Sequence, residues 1–105
     1  MREKVYISGQ ISGLPYNVAY NKFRDAEIAV NEWADAVNPM MLDVTMHPSH
    51  DEPEWCDYML TDLDILMRQC TGIYMLRDWR QSKGARIEHA IAEIIEMAIY
   101  YEATR

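Results

Sequence analysis

Gly72-Ile73-Tyr74-Met75-Leu76, followed across the loop Arg77-Asp78-Trp79-Arg80-Gln81 by Ser82-Lys83-Gly84-Ala85-Arg86-Ile87-Glu88-His89-Ala90-Ile91-Ala92-Glu93-Ile94-Ile95-Glu96-Met97, is the stretch that sets the fold class. Its first run is almost continuously apolar, the pattern of a strand covered on both faces. Its second reads as one helix opened by Ser82 as N-cap. Stepping about 100° per residue puts Gly84, Ile87, Ile91, Ala92, Ile94, Ile95 and Ala98 on one stripe. Arg86, His89, Glu93 and Glu96 fall on the opposite, solvated side. Glu88 breaks the pattern, because it projects between Ile95 and Ala92, inside the apolar stripe. Burying an unpaired carboxylate costs several kcal/mol, so the position calls for a partner, a raised pKa or a chemical role. The plainer alternative is a stripe-edge Glu whose stem packs while its head reaches water.

Outward from this stretch the chain alternates strand and helix. Lys4-Val5-Tyr6-Ile7-Ser8 is a β-branched and aromatic run ending at Gly9, hence a first strand. Gly9 to Pro15, with two glycines and a proline, is a loop. From Asn17 as N-cap, Ala19, Phe23, Ala26, Val30 and Trp33 repeat at helical spacing and give helix one. Ala36-Val37-Asn38 is a short strand stopped by Pro39. Met40 to Pro53 lacks periodicity and reads as a loop, a natural cover for a pocket. Glu54 to Gln69 is helix two, with Trp55, Met59, Leu63 and Leu66 on its buried side, and Ala98-Ile99-Tyr100-Tyr101 is the last strand.

Four strands alternating with three helices imply a parallel sheet with right-handed crossovers and helices on both faces. The expected fold is therefore α/β, a small doubly wound, flavodoxin-like sheet forming a single domain over residues 1–105. Ligands of such sheets bind beyond the carboxyl ends of the strands. Those ends are Ser8-Gly9, Asn38 and the Leu76–Gln81 loop, which feeds the Glu88 helix.

Length and charge narrow the function classes. A chain of 105 residues buries roughly 60–65% of its unfolded surface, enough for one core. A net charge of −7 argues against a duplex nucleic-acid binder, which would carry a basic stripe. No run approaches the ~20 apolar residues of a membrane span, and Met1-Arg2-Glu3-Lys4 leads into a strand, not a signal peptide. Cys56 and Cys70 lack ligand-like spacing and read as reduced core thiols. A cytoplasmic protein is the expectation.

Several constellations could carry chemistry. Helix two repeats the anomaly of helix three: Asp57 and Asp64 project to its polar side, but Asp62 falls at the stripe rim beside Trp55 and Leu66. Alone, Asp62 would be an ordinary rim carboxylate. Two inward-leaning carboxylates flanking one sheet edge can divide nucleophile and acid roles at an anomeric carbon. The Gly9–Gly13 loop offers backbone N–H groups to a phosphate or sugar, although a turn needing positive φ explains one of its glycines. Gly84 invites a second close backbone approach. Arg77, Arg80, Lys83 and Arg86 gather positive charge near this corner, as an anion site or a solvated face. His47, His50 and Asp51 have poor metal-ligand spacing and read as surface loop. Trp79, Tyr100 and Tyr101 read as packing or interface residues.

Tyr6-Ile7-Ser8-Gly9-Gln10-Ile11-Ser12-Gly13, Asn38-Pro39, Trp55 to Asp62 and Trp79-Arg80-Gln81-Ser82-Lys83-Gly84-Ala85-Arg86-Ile87-Glu88 together resemble the nucleoside 2-deoxyribosyltransferase-like superfamily. Within it the likeness is to a small DUF4406-like subgroup of uncharacterised phage and bacterial domains. These share the pattern Tyr-Ile-Ser-Gly…Trp-x-x-Ser-x-Gly-Ala-x-x-Glu, and the resemblance covers nearly the whole chain. It implies that Glu88 is a nucleophile attacking the anomeric carbon of a 2-deoxyribosyl group to give a covalent glycosyl-enzyme. It further implies that Asp62 binds the base and assists its departure and that Tyr6 orients Glu88. Ser8, Gly9, Gln10, Ile11, Gly13, Ser82 and Gly84 would then contact substrate. Ser12 stands where the superfamily's 5′-monophosphate hydrolases carry an arginine, and Thr71 where relatives usually carry an aspartate.

The expected activity is cleavage or transfer of the N-glycosidic bond of a nucleoside or nucleoside 5′-monophosphate, as hydrolase or transferase. The alternative is a catalytically inert nucleotide-binding or interaction domain that keeps the fold. No cofactor and no metal are expected, and the partner is a small-molecule nucleoside or nucleotide. With three Trp and seven Tyr on 105 residues, a homodimer or higher homo-oligomer is expected. Its contacts would involve Tyr16, Tyr20, Tyr58 and the Met40–Met46 loop.

Overall fold

The computed structural model describes residues 2–44 and 54–103. Four strands, β1 (Lys4–Ser8), β2 (Asp35–Val37), β3 (Gly72–Met75) and β4 (Ala98–Tyr101), form one sheet in the order β2-β1-β3-β4. Every neighbouring pair is parallel, with Ser8 opposite Met75 and Tyr74 opposite Tyr100. The connections are helices α1 (Tyr16–Asn31), α2 (Trp55–Gln69) and α3 (Lys83–Ile94), with 3₁₀ turns at Pro39–Met41 and Trp79–Gln81. This is the small, all-parallel α/β arrangement that strand–helix alternation predicts. The chain steps outward from β1 to β2, then crosses back to β3, so the order reverses between β1 and β3. Beyond the carboxyl ends of those two strands a crevice opens.

Side-chain alternation along the strands builds the two faces. Val5 and Ile7 of β1 pack with Phe23, Ala26, Val30 and Ala34 of the α1 layer, joined by Leu76. Tyr6 of β1 and Ile73 and Met75 of β3 point the other way, into a cluster with Leu66 of α2 and Ala85 and Ala92 of α3. All of these side chains are essentially shielded from solvent, and each large one contributes about 1.5–3 kcal/mol through burial. Gly9 is forced by contact with its neighbours: a Cβ there would lie 2.7 Å from Leu76 Cδ1 and 2.8 Å from Leu76 Cβ. Only glycine lets the ends of β1 and β3 approach this closely.

Several boundaries differ from the sequence reading, each for a local reason. Helix α1 starts at Tyr16 without a side-chain cap; the Pro15 carbonyl accepts from Val18 and Ala19, so Asn17 lies inside the helix. Trp33 follows the end of α1 and packs edge-on against Tyr100, with centroids 4.8 Å apart. Asn38 has left the sheet: its Oδ1 accepts from the Met40 N–H and its Nδ2 donates to Glu27. Asp57 is buried, not solvated, because it closes a capping box with Glu54 at the start of α2. Cys56 is exposed and only Cys70 is buried, where desolvation pushes its thiol up to about 11.

The end of α3 departs most from the projected stripe. Glu96 adopts a left-handed backbone, φ 60°, and the Met97 N–H returns to the Ala92 carbonyl. The helix stops before the stripe does, leaving Ile95 exposed, while Ile94, still helical, is exposed because it projects away from the face that is buried. The side chains at the centre of the buried face are Ala85, Glu88 and Ala92. His89, projected to solvent, stacks on Trp79 at 4.2 Å and bonds the Tyr101 hydroxyl at 2.8 Å. His47, His50 and Asp51 lie outside the described residues. Among the described residues, no helix is long and apolar enough to cross a membrane.

Candidate functional site

Alternation along β1 sends Tyr6 and Ser8 to the same face, one above the other, toward α3. There they meet Glu88. The Tyr6 hydroxyl donates to Glu88 Oε2 at 2.7 Å and the Ser8 hydroxyl to Oε1 at 2.6 Å. The carboxylate is only 4% exposed, yet both its oxygens have donors. Small residues one turn on either side, Ala85 and Ala92, let α3 lie close enough to the sheet for a Glu of this length to reach β1. The anomalous carboxylate is thus a placed one. Ser82 holds the helix start, its Oγ accepting from the Ala85 N–H at 3.1 Å.

Glu88 forms part of the wall of a cavity of about 580 Å³. Tyr6, Gly9, Ile11, Ser82, Gly84 and Asp62, all expected at the site, line it too. Burial pushes the Glu88 carboxyl up to about 7, and the nearby Asp62 charge adds to the rise. The Ser8 and Tyr6 hydroxyls oppose it, since a hydrogen bond to the ionised form favours that form. Asp62 is pushed up to about 6, again chiefly by burial and again opposed by Tyr6. The phenol of Tyr6 stands between the two acids and is held well above its usual range by burial and by both carboxylates. Tyr6 therefore stays protonated, while the Asp62 charge acting on Glu88 couples the ionisation of the two carboxyls.

Two expected contacts fall elsewhere. Gln10 and Gly13 do not line the cavity. The Gln10 N–H donates to Asp78 Oδ1 at 3.2 Å, and Lys22 bonds both the Gln10 carbonyl and Asp78. A protein carboxylate, itself paired with Lys22, therefore occupies the N–H that an incoming anion would need. Gly13 has a positive φ of 89°, which its own turn requires. Ser8, expected to touch substrate, is fully buried and acts on Glu88 instead. Gly84 faces the neighbouring helix: a Cβ there would sit 3.0 Å from Met59 Sδ.

The basic quartet is dispersed. Arg77 pairs with Glu102, Arg80 lies over the Trp79 ring and Lys83 over the Trp55 ring at 4.7 Å. None of the four, Arg86 included, lines the cavity. What the sequence reading missed is the apolar and aromatic part of the wall: Tyr16, Phe23, Met40, Leu42, Trp55, Tyr58 and Met59. Trp55, which helical periodicity puts on the buried side of α2, is instead 40% exposed, and Tyr58, to which periodicity assigns no role, is exposed too; both face the cavity, not the core. Among the described residues no group of three or more His, Cys, Asp or Glu side chains is arranged to hold a metal ion.

Neither the curated proteins nor the solved structures contain a significant match to this chain. One family model does match, over residues 3–101, which include every element of the sheet and the whole Tyr6–Ser8–Glu88 constellation. The chain belongs to that family, described as a domain of unknown function, DUF4406.

Proposed function

We propose that the protein cleaves or transfers an N-glycosidic bond of a nucleoside, with Glu88 as nucleophile. The observation that carries this reading is the buried Glu88, oriented through both oxygens by Tyr6 and Ser8 on the wall of a cavity that also holds Asp62. Resemblance of the motif from Trp79 to Glu88 to the nucleoside 2-deoxyribosyltransferase-like superfamily supplies the reaction class.

In this mechanism a Glu88 oxygen attacks C1′ of the sugar as the C1′–N bond to the base breaks. The bonding pair leaves with the base, and Asp62, reacting in the form in which it holds the proton and Glu88 is ionised, gives the departing nitrogen that proton. The product is a glycosyl ester of Glu88 and a neutral base. Water, or the nitrogen of a second base, then attacks C1′ from the vacated side, and the ester bond breaks to return the Glu88 carboxylate. Asp62 takes up the proton lost by that second nucleophile. Tyr6 and Ser8 hold the carboxylate in one rotamer before attack, a pre-organisation that lowers the barrier by removing lost orientations. Apolar walls limit the water competing for the intermediate.

One observation favours a second reading, an inert nucleotide-binding domain: the two hydroxyls already satisfy Glu88, as a structural carboxylate would be. Incubation with a panel of deoxynucleosides and nucleosides, followed by chromatography for free base, separates the two. The enzymatic reading expects base release that collapses in Glu88→Gln with the fold intact. Release unchanged in that variant, or absent across the panel, contradicts it.

A further inference from the structure

We infer that the cavity selects its substrate by charge, taking an unphosphorylated nucleoside and favouring one whose base is cationic. The inference rests on the N-glycoside reading above and narrows its substrate class. Of the described residues lining the cavity, only Asp62 and Glu88 carry formal charge, and none is Lys, Arg or His. Lys22 is paired with Asp78 and the Gln10 carbonyl and Arg77 with Glu102, while Lys83 lies outside the lining, over the Trp55 ring. The loop amide best placed for an anion, that of Gln10, already donates to Asp78.

A 5′-phosphate brings nearly two negative charges and would meet two carboxylates with no lining cation to balance them. A cation meets the reverse. Carboxylates set among Trp55, Tyr58, Tyr16 and Phe23 are the surroundings that attract an organic cation, through charge and through the ring faces. Chemistry points in the same direction. When a Glu88 oxygen bonds C1′ of a cationic nucleoside, the C1′–N pair returns to a ring nitrogen that was positively charged. The base leaves neutral and Asp62 need not surrender a proton. Water then adds at C1′, the ester bond breaks, the sugar departs, and the released proton passes to solvent.

Isothermal titration of the full chain with two matched sets tests the inference. One set is the nicotinamide riboside cation, its neutral reduced form and its 5′-monophosphate. The other is 7-methylguanosine below pH 7, guanosine and guanosine 5′-monophosphate. In a set that binds, the cation is expected to bind at least tenfold more tightly than its neutral counterpart. The phosphorylated member should bind at least tenfold more weakly than the same nucleoside without phosphate. At pH 7 cation binding should also expel a proton, seen as a buffer-dependent heat, and Glu88→Gln should abolish that release. A monophosphate that binds as tightly as its parent, or a cation that gains nothing, overturns the inference. Chromatography for free base reads the underlying function separately. The expected affinity order without base release keeps the charge selection and refutes the glycosidase; base release that favours monophosphates does the opposite. No binding by any member overturns both.

Discussion

Glu88 should make the protein less stable at alkaline pH, and Glu88→Gln should remove that dependence. In the unfolded chain the carboxyl titrates near its usual 4.5; in the folded one burial holds it at about 7. Between those values the folded state keeps a proton that the unfolded state has lost. Stability from this group is therefore fully present below pH 4.5 and falls as pH rises through 7. At 1.36 kcal/mol per pH unit of difference, the loss comes to about 3 kcal/mol. For a domain of this size that corresponds to roughly 10–20 °C in Tm. Gln resembles the protonated acid and can still accept from one hydroxyl and donate to the other. At pH 5 the variant should accordingly lie within about 1 kcal/mol of the parent. At pH 8.5 it should be the more stable of the two by about 2–3 kcal/mol. Urea unfolding of both proteins at the two pH values gives the numbers. Asp62, raised chiefly by its own burial, contributes a dependence in both proteins. Parallel stability–pH curves would refute the reasoning, since they would mean that Glu88 titrates normally and is not desolvated.

Three further outcomes are expected. Ser8→Ala removes one of the two donors to Glu88, so it should cost about 1–3 kcal/mol in thermal unfolding above neutrality and move the ionisation seen in a pH–rate profile upward. Gly9→Ala drives a methyl into Leu76 at 2.7 Å and should destabilise by about 1–3 kcal/mol, measured as a lowered urea midpoint with unchanged slope. Glu96→Gly relieves a left-handed, non-glycine residue and should raise stability by about 0.5–1 kcal/mol, a gain that a calorimetric Tm resolves.

The sequence makes the sheet legible because its strands are short, dense in β-branched and aromatic residues, and punctuated: Lys4–Ser8 and Ala98–Tyr101 lie where that composition puts them. Glu88 is legible for a different reason, as a charge where periodicity demands an apolar side chain. Ser8 as an orienting donor was within reach as well, since it shares the period-2 face of Tyr6. The misreadings come from helical projection taken without the helix's real end, its cap or the face it packs. Ile95 looks buried only if α3 runs on beyond its end, Ile94 only if the buried face is centred on the isoleucines and not on Ala85, Glu88 and Ala92, and Asp57 looks solvated only if its cap is overlooked. Contacts between distant loops were out of reach. Nothing local links Lys22 or Gln10 to Asp78, 56 and 68 residues away in sequence, yet that network decides whether the glycine loop can receive an anion. The aromatic wall depends on how α2 meets the Pro39–Val44 segment, a tertiary fact.

A covalent sugar on Glu88 is the central claim in its most direct form. The measurement is mass spectrometry of the chain quenched in acid during turnover of a nucleoside that it cleaves, slowed with a 2-deoxy-2-fluoro sugar so that the ester persists. The account predicts a chain heavier by one sugar, with the added mass on Glu88 in the proteolytic peptide that begins at Ile87, and no adduct in Glu88→Gln. Free base released without any adduct, an adduct on another residue, or no release from any nucleoside offered would contradict it.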